Sequence, residues 1–324
     1  MFWPKRTCHR LVRLLPLILS LLLLGCGDQQ EAPLKVSLEK RAPAADAPVI
    51  RELPGDSLRF GFDPRLNPKE DVSLYQPFLN YLEQQTGLKI ALKFTEKYED
   101  TVDNLGHGRV GLAAMGPVNC VIAKAKYGIG CLVMGLNHEH KPEYRAVIFT
   151  RTDSPLRRLE DLKDRAFAFG DYFSTQGHAI PRKMLDDAGV SLEELRFHVF
   201  TGSHANTVKA VLSGDYDAGA IQDSLALRLA AEGRIKILAT SKPYPSSLIC
   251  YNPDLDPLAL ARIKEALLAL DPTGIHGELL VNWNRTEMPN GFVEYQPNSL
   301  REIEELVQLY LVKPEDGPAT AAAR

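Results

Sequence analysis

The sequence predicts an α/β protein of two lobes, each a mostly parallel sheet flanked by helices. Three observations lead there. Short apolar runs alternate with segments of helical period from Leu58 to Leu311. Polar turns follow several of these runs directly, so strands lead straight into helices. Finally, the about 250 residues beyond Leu58 exceed what one hydrophobic core usually holds together.

Taken in order, strand Leu58–Phe62 precedes a helix from about Ser73 to Thr86, strand Lys89–Phe94, a helix around Tyr98–Gly106, strand Val110–Met115, helix Val118–Tyr127 and strand Gly130–Leu136. Tyr144 to Thr150 is the next strand, and Ser154-Pro155 with a helix near Leu159–Leu162 hands the chain over to the second lobe. There follow strand Ala166–Phe169, helix Gln176–Ala188, strand Arg196–Phe200, helix Ala205–Leu212, strand Ala218–Ile221, helix Ser224–Ala231 and strand Ile235–Ala239. Leu248–Tyr251 is a return strand, with helices Pro257–Leu270 and Ser299–Leu311 packing outside. The lobes divide as 57–150, 151–245, and 246–313 returning to the first, with a tail at 314–324. Asn282 to Asn298, with Trp283, reads as a loop.

The amino-terminal stretch has a different character. Lys5, Arg6, Arg10 and Arg13 precede an apolar core from Leu14 to Leu24, too short to span a membrane comfortably and flanked as a secretory signal is. It ends in Leu23-Leu24-Gly25-Cys26, which resembles the bacterial lipobox, where the cysteine is lipidated and becomes the mature terminus. Residues 1–25 are thus expected to be removed, Cys26 to carry a lipid anchor on the periplasmic side of a membrane, and 26–56, rich in Ala, Pro, Glu and Asp, to form a tether. Of five cysteines, Cys120, Cys131 and Cys250 remain. A Cys120–Cys131 pair and three buried thiols are both compatible with their apolar settings, and no zinc spacing links them.

A net charge of -3, with no basic stripe, argues against a nucleic-acid partner. No cofactor motif is evident. Asn137-His138-Glu139-His140 reads as a solvated turn, since nothing in its spacing supplies converging metal ligands.

Chemistry concentrates at two strand-to-helix junctions. In Phe169-Gly170-Asp171-Tyr172-Phe173-Ser174-Thr175-Gln176-Gly177-His178, Ser174 or Thr175 falls at a helix N-cap. There a hydroxyl caps the helix or donates to an anion beside unpaired backbone N–H groups. Thr201-Gly202-Ser203-His204 repeats the pattern one strand later, which brings His204 to the same carboxyl edge of the sheet, where ligands of open sheets sit. Gln222 and Asp223 follow the next strand. An acidic side chain there suits a ligand amine or a protonated oxygen, and a plain helix cap is the alternative.

These phrases, with Gly116-Pro117 and Gly214-Asp215-Tyr216-Asp217-Ala218, resemble the phosphate/phosphite/phosphonate-binding proteins of bacterial ABC importers, in order from about Leu58 to Leu270. The resemblance implies a type II periplasmic-binding-protein clamp that delivers a phosphorus oxyanion to a permease and its ATPase and catalyses nothing. It implies that Ser174, Thr175 and His204 contact the phosphoryl group. Gln176 stands where many members have a third Ser, Met115 where some have Tyr, and Tyr75 resembles a further family aromatic. A lipid-anchored sensor of the same fold is the alternative. A hydrolase built on Ser174 and His204 is disfavoured, because no nucleophile elbow is present.

Overall fold

The computed structural model describes residues 57–95 and 97–311. The expected signal, the tether, Cys26 and the tail at 314–324 lie outside them. Among the described residues, no helix is long and apolar enough to cross a membrane.

The first sheet begins with β1 (Ser57–Phe62), whose Phe60 and Phe62 are wholly buried. Helix α1 (Pro68–Thr86) starts a turn and a half before the apolar period predicts. The reason lies in its cap: Asn67 Oδ1 accepts from Glu70 N–H at 3.1 Å, and Pro68 occupies the first turn, where no N–H is needed. It ends at Gly87, whose φ of 70° is left-handed. Then come β2 (Lys89–Leu92), α2 (Tyr98–Gly106), β3 (Leu112–Met115), α3 (Pro117–Tyr127) and β4 (Gly130–Gly135).

The chain leaves this sheet after β4. The short β5 (Glu143–Tyr144) leads into β6 (Ala146–Arg151), which pairs antiparallel with two strands of a second sheet. The strand read as closing the first lobe therefore lies in the second: local sequence marks a strand but not its partners. A 3₁₀ turn at Leu159–Leu162 precedes β7 (Ala166–Phe169). A π-helical turn, Thr175–Ala179, then opens α4 (Ile180–Asp187), followed by β8 (Phe197–Phe200), α5 (His204–Leu212), β9 (Ala218–Gln222), α6 (Asp223–Ala231) and β10 (Ile235–Thr240). The return passes through β11 (Tyr244–Pro245) to β12 (Leu248–Tyr251), α7 (Pro257–Leu268), β13 (Phe292–Glu294) and α8 (Arg301–Tyr310). The three-residue β13 lies in the stretch read as loop.

The sheets run β13-β4-β12-β3-β1-β2 and β10-β6-β9-β7-β8, and β5 pairs with β11 in a two-stranded ribbon. That ribbon joins the two segments that cross between sheets. In each sheet the strands that lead into the site's helices are parallel: β2, β1 and β3 in one, β8, β7 and β9 in the other. Helices flank both sheets. Phe60, Phe62, Tyr75, Phe78 and Trp283 form an aromatic core on one side of the first, and fully burying one such ring contributes about 1.5–3 kcal/mol. In β6, Val147 and Phe149 enter one core and Ile148 the opposite one, as the two-residue period of a strand requires.

Candidate functional site

Parallel strands place their carboxyl ends together, and here both sheets do so toward a common cleft. The first contributes Asp63 and Arg65 after β1, Met115 at the end of β3 and Gly116 after it. The second contributes Ser174 to Gln176 after β7, Ser203 and His204 after β8, and Gln222 and Asp223 at the β9–α6 junction.

Ser174 caps the π-helical turn, its Oγ accepting from Gly177 N–H at 2.9 Å. Thr175 reaches the opposite lobe: its Oγ1 accepts from Val118 N–H, in the first turn of α3, at 2.9 Å. Both hydroxyls are buried. Gln176 donates from Nε2 to Arg145 O at 2.9 Å, so this amide ties the loop to the start of β6. Asp223, the first residue of α6, accepts from Arg145 N–H and Ser224 N–H, each at 2.8 Å, which makes it a brace between β6 and the helix start and not the cap, a position held by Gln222. Burial pushes its carboxyl up to about 6.

Two residues carried over from the resemblance occupy the interior. Met115 is fully buried in the core beneath α3. Tyr75 is stacked on Phe62 with centroids 4.5 Å apart, inside the aromatic core.

His204 is the first residue of α5, behind its Ser203 cap, and is 1% exposed. Its Nδ1 has no hydrogen-bond partner. Burial first, and the positive charge of Arg65 second, push its pKa down to about 3, so the imidazole is neutral. Tyr144, on the ribbon, is likewise buried with its hydroxyl unpartnered. Burial pushes that phenol far up, with the charge of Glu287 adding to it and the nearby Thr175 hydroxyl, which makes no hydrogen bond of good geometry to it, and Arg65 opposing. Gln222 Oε1 and Glu287 Oε1 are also buried without partners. Native interiors rarely leave such groups unmet; Tyr144 and Glu287 line one groove and Gln222 another.

Arg65 was missed by the sequence reading, although the carboxyl edge of β1 is the kind of place that reading searched elsewhere. Its guanidinium Nε lies 2.8 Å from Glu287 Oε2, and Nη2 donates to Ser247 Oγ at 3.0 Å. Ser247 in turn donates to Glu287. Arg65 is therefore a buried cation held by one carboxylate. The turn that presents it is fixed by Asp71, whose carboxylate accepts from Arg65 N–H and Leu66 N–H. Next to it, Asp63 accepts from Gly116 N–H at 2.7 Å and Asn119 Nδ2 at 2.8 Å, bracing the start of α3. Burial raises this carboxyl to about 6 against the pull of Arg65.

His178, in the same phrase as Ser174, packs instead among Phe169, Tyr172 and Phe200, and its Nδ1–H donates to Tyr172 O at 2.6 Å. Trp283 stacks on Phe78 at 4.8 Å and donates from Nε1 to Met288 O at 2.7 Å. Asn137 Oδ1 accepts from Glu139 and Lys141 N–H, making an exposed Asx turn at the His138–His140 segment.

The groove reaching Tyr144 from the surface is lined by Glu139, Glu143, Asp223 and Glu287, with Arg145 and His138 beside them.

Comparison with known proteins places this geometry in context. Residues 60–298 match the profile of the family described as ABC transporter, phosphonate, periplasmic substrate-binding protein. The phosphate-import protein PhnD of Mycolicibacterium smegmatis is 25% identical over 219 residues, 62% of this chain and 68% of that protein. The probable ABC transporter phosphite binding protein PhnD1 of Prochlorococcus marinus is 29% identical over 169 residues, about half of each chain. The solved structure of PhnD1 from Prochlorococcus marinus in complex with methylphosphonate superimposes with a TM-score of 0.72 at 20% identity, covering 79% of this chain and 99% of that one. A phosphonate-transporter binding component from Pseudomonas aeruginosa gives 0.70 at 18% identity, covering 78% and 86%. These likenesses are to two-lobed periplasmic binding proteins.

Proposed function

Because the chain belongs to the periplasmic substrate-binding proteins of ABC phosphonate transporters, we propose that it captures a phosphorus oxyanion in the cleft between its lobes, presents it to a membrane permease with its ATPase, and catalyses no reaction. The observation that carries this reading is the set of buried, unpartnered groups, His204 Nδ1 and Tyr144 Oη, gathered where the charge of Arg65 is felt. A phosphoryl group brings oxygens for such groups. Each buried oxygen of an anion needs a donor, or the ion stays in water.

Within this reading, Ser174, Thr175 and His204 contact the phosphoryl oxygens, and Arg65 supplies the countercharge. Gln176 and Asp223 fix the loop around them, with Arg145 as their common partner. Met115 and Tyr75 shape the floor from the core. The acidic groove beside Tyr144 favours a phosphonate with a cationic substituent over inorganic phosphate, because Asp223 and Glu287 lie where an amine would enter. Cys26 would hold the protein at the membrane through a lipid.

The test is isothermal titration of the domain from residue 57 with phosphate, phosphite, methylphosphonate, an aminoalkylphosphonate and sulfate. Tightest binding of the aminoalkylphosphonate is the expected result. Preference for sulfate, or binding of none, would refute the ligand class; metabolic fatty-acid labelling that survives Cys26→Ser would refute the anchor.

A further inference from the structure

Three cysteines far apart in sequence meet under α3. Cys120 lies on α3, Cys131 on β4 and Cys250 on β12, where the Cys131 and Cys250 backbones are registered partners. The Cys120 and Cys131 sulfurs are 2.6 Å apart, with Cys250 Sγ 3.3 Å from Cys120 and 4.0 Å from Cys131. Cys120 and Cys250 are buried in an apolar core with Val118, Ile122 and Leu306, and only Cys131 is partly exposed.

Three thiols this close have two chemical uses, a soft-metal site or a disulfide. The surroundings separate them. A metal bound by three thiolates would leave net negative charge in an apolar core where, among the described residues, Lys124 is the cation acting on the thiols; burial pushes the Cys120 and Cys250 thiols up, against ionisation, while hydrogen bonds from these two lower that of Cys131. A disulfide is neutral and needs no countercharge. The sulfurs of Cys120 and Cys131 are already closer than non-bonded sulfurs rest. The family's periplasmic setting is one in which disulfides persist.

We propose that Cys120 and Cys131 form a disulfide that clamps α3 to β4, leaving Cys250 as a buried thiol. The route follows from exposure. Cys131 attacks an external disulfide, such as glutathione disulfide or that of a thiol oxidoreductase, and displaces one carrier sulfur as a thiol. Cys120 then attacks Cys131 Sγ and displaces the second carrier sulfur. Two protein thiols are oxidised, one external disulfide is reduced to two thiols, and the two protons leave with them. The bond closes about half a turn beyond Val118, whose N–H meets Thr175. It therefore stiffens the wall of the cleft as well as the core.

The test is peptide mapping of the full chain after treatment with glutathione disulfide and alkylation of residual thiols. Cys120 and Cys131 fall in different tryptic peptides, separated by Lys124 and Lys126. A linked pair that disappears on reduction, with Cys250 alkylated, is expected, and reduction should lower the melting temperature by about 5–10 °C. Cys131→Ser should abolish both signals, and Cys250→Ser should keep both. A bridge from Cys120 to Cys250, no bridge at all, or stoichiometric copper(I) binding that requires all three thiols would each overturn the proposal.

Discussion

Arg65 and Glu287 allow one change to separate folding from binding. Their side chains are 9% and 2% exposed, and the ion pair is 2.8 Å long. Replacing Arg65 by Met leaves a carboxylate buried without its cation, which costs about 3–5 kcal/mol of stability. That is a large part of the roughly 5–15 kcal/mol that holds a domain folded. Adding Glu287→Gln removes the stranded charge and keeps an acceptor for Ser247, so the double variant should recover most of the loss. Binding should not recover with it. If Arg65 meets the ligand, its charge-assisted hydrogen bond contributes about 1.5–3 kcal/mol, or about 10- to 150-fold in affinity. Urea unfolding, followed by the fluorescence of Trp283 on Phe78, measures the first quantity, and calorimetric titration with a phosphonate measures the second. A double variant that binds as tightly as the parent would remove Arg65 from the site. A single variant as stable as the parent would show that the pair is not buried as described.

Other perturbations test neighbouring parts. Burial pushes His178 down to about 4, so its neutral form supports folding above pH 6.5 and that support is lost as pH falls toward 4, where the unfolded chain gains a proton the folded one refuses. The loss amounts to on the order of 3 kcal/mol, and His178→Asn should flatten the acid limb of a melting-temperature-against-pH curve; an unchanged limb would contradict the burial. Gly177→Ala would set a Cβ 3.0 Å from Gly170 Cα and 2.9 Å from Ser174 Oγ, so it should cost about 1–3 kcal/mol in unfolding and weaken ligand titration. Thr175→Val removes the acceptor of Val118 N–H and should lower stability by about 1–3 kcal/mol, read by urea denaturation.

Much of this was legible before any coordinates. The strand-to-helix junctions at Ser174 and Ser203 are written in local chemistry: an apolar run, a glycine, a hydroxyl, then helical period. Both residues do cap. Partnership is not local, and so β6 was read with the wrong sheet although its existence was plain. The start of α1 was misread because the apolar period begins after Asn67-Pro68, while the cap that sets the boundary is polar. Glu287 could not be found, since its ion pair is with Arg65, more than two hundred residues earlier. Tyr75 and Met115, carried over by order alone, fall on positions that also belong to the aromatic and aliphatic cores, a packing role that local sequence does not mark.

The hydroxyl of Thr175 on the first turn of α3 bears on selectivity. An anion that takes Val118 N–H replaces a neutral oxygen by an ionised one, so it gains only the difference between two hydrogen bonds at the positive end of a helix. That difference is about 1 kcal/mol, roughly fivefold in affinity. A neutral ester of the same cargo gains nothing from the exchange. On the proposed function, the helix end would act as a comparator that reads the charge of the oxygen presented to it, whatever the rest of the molecule looks like.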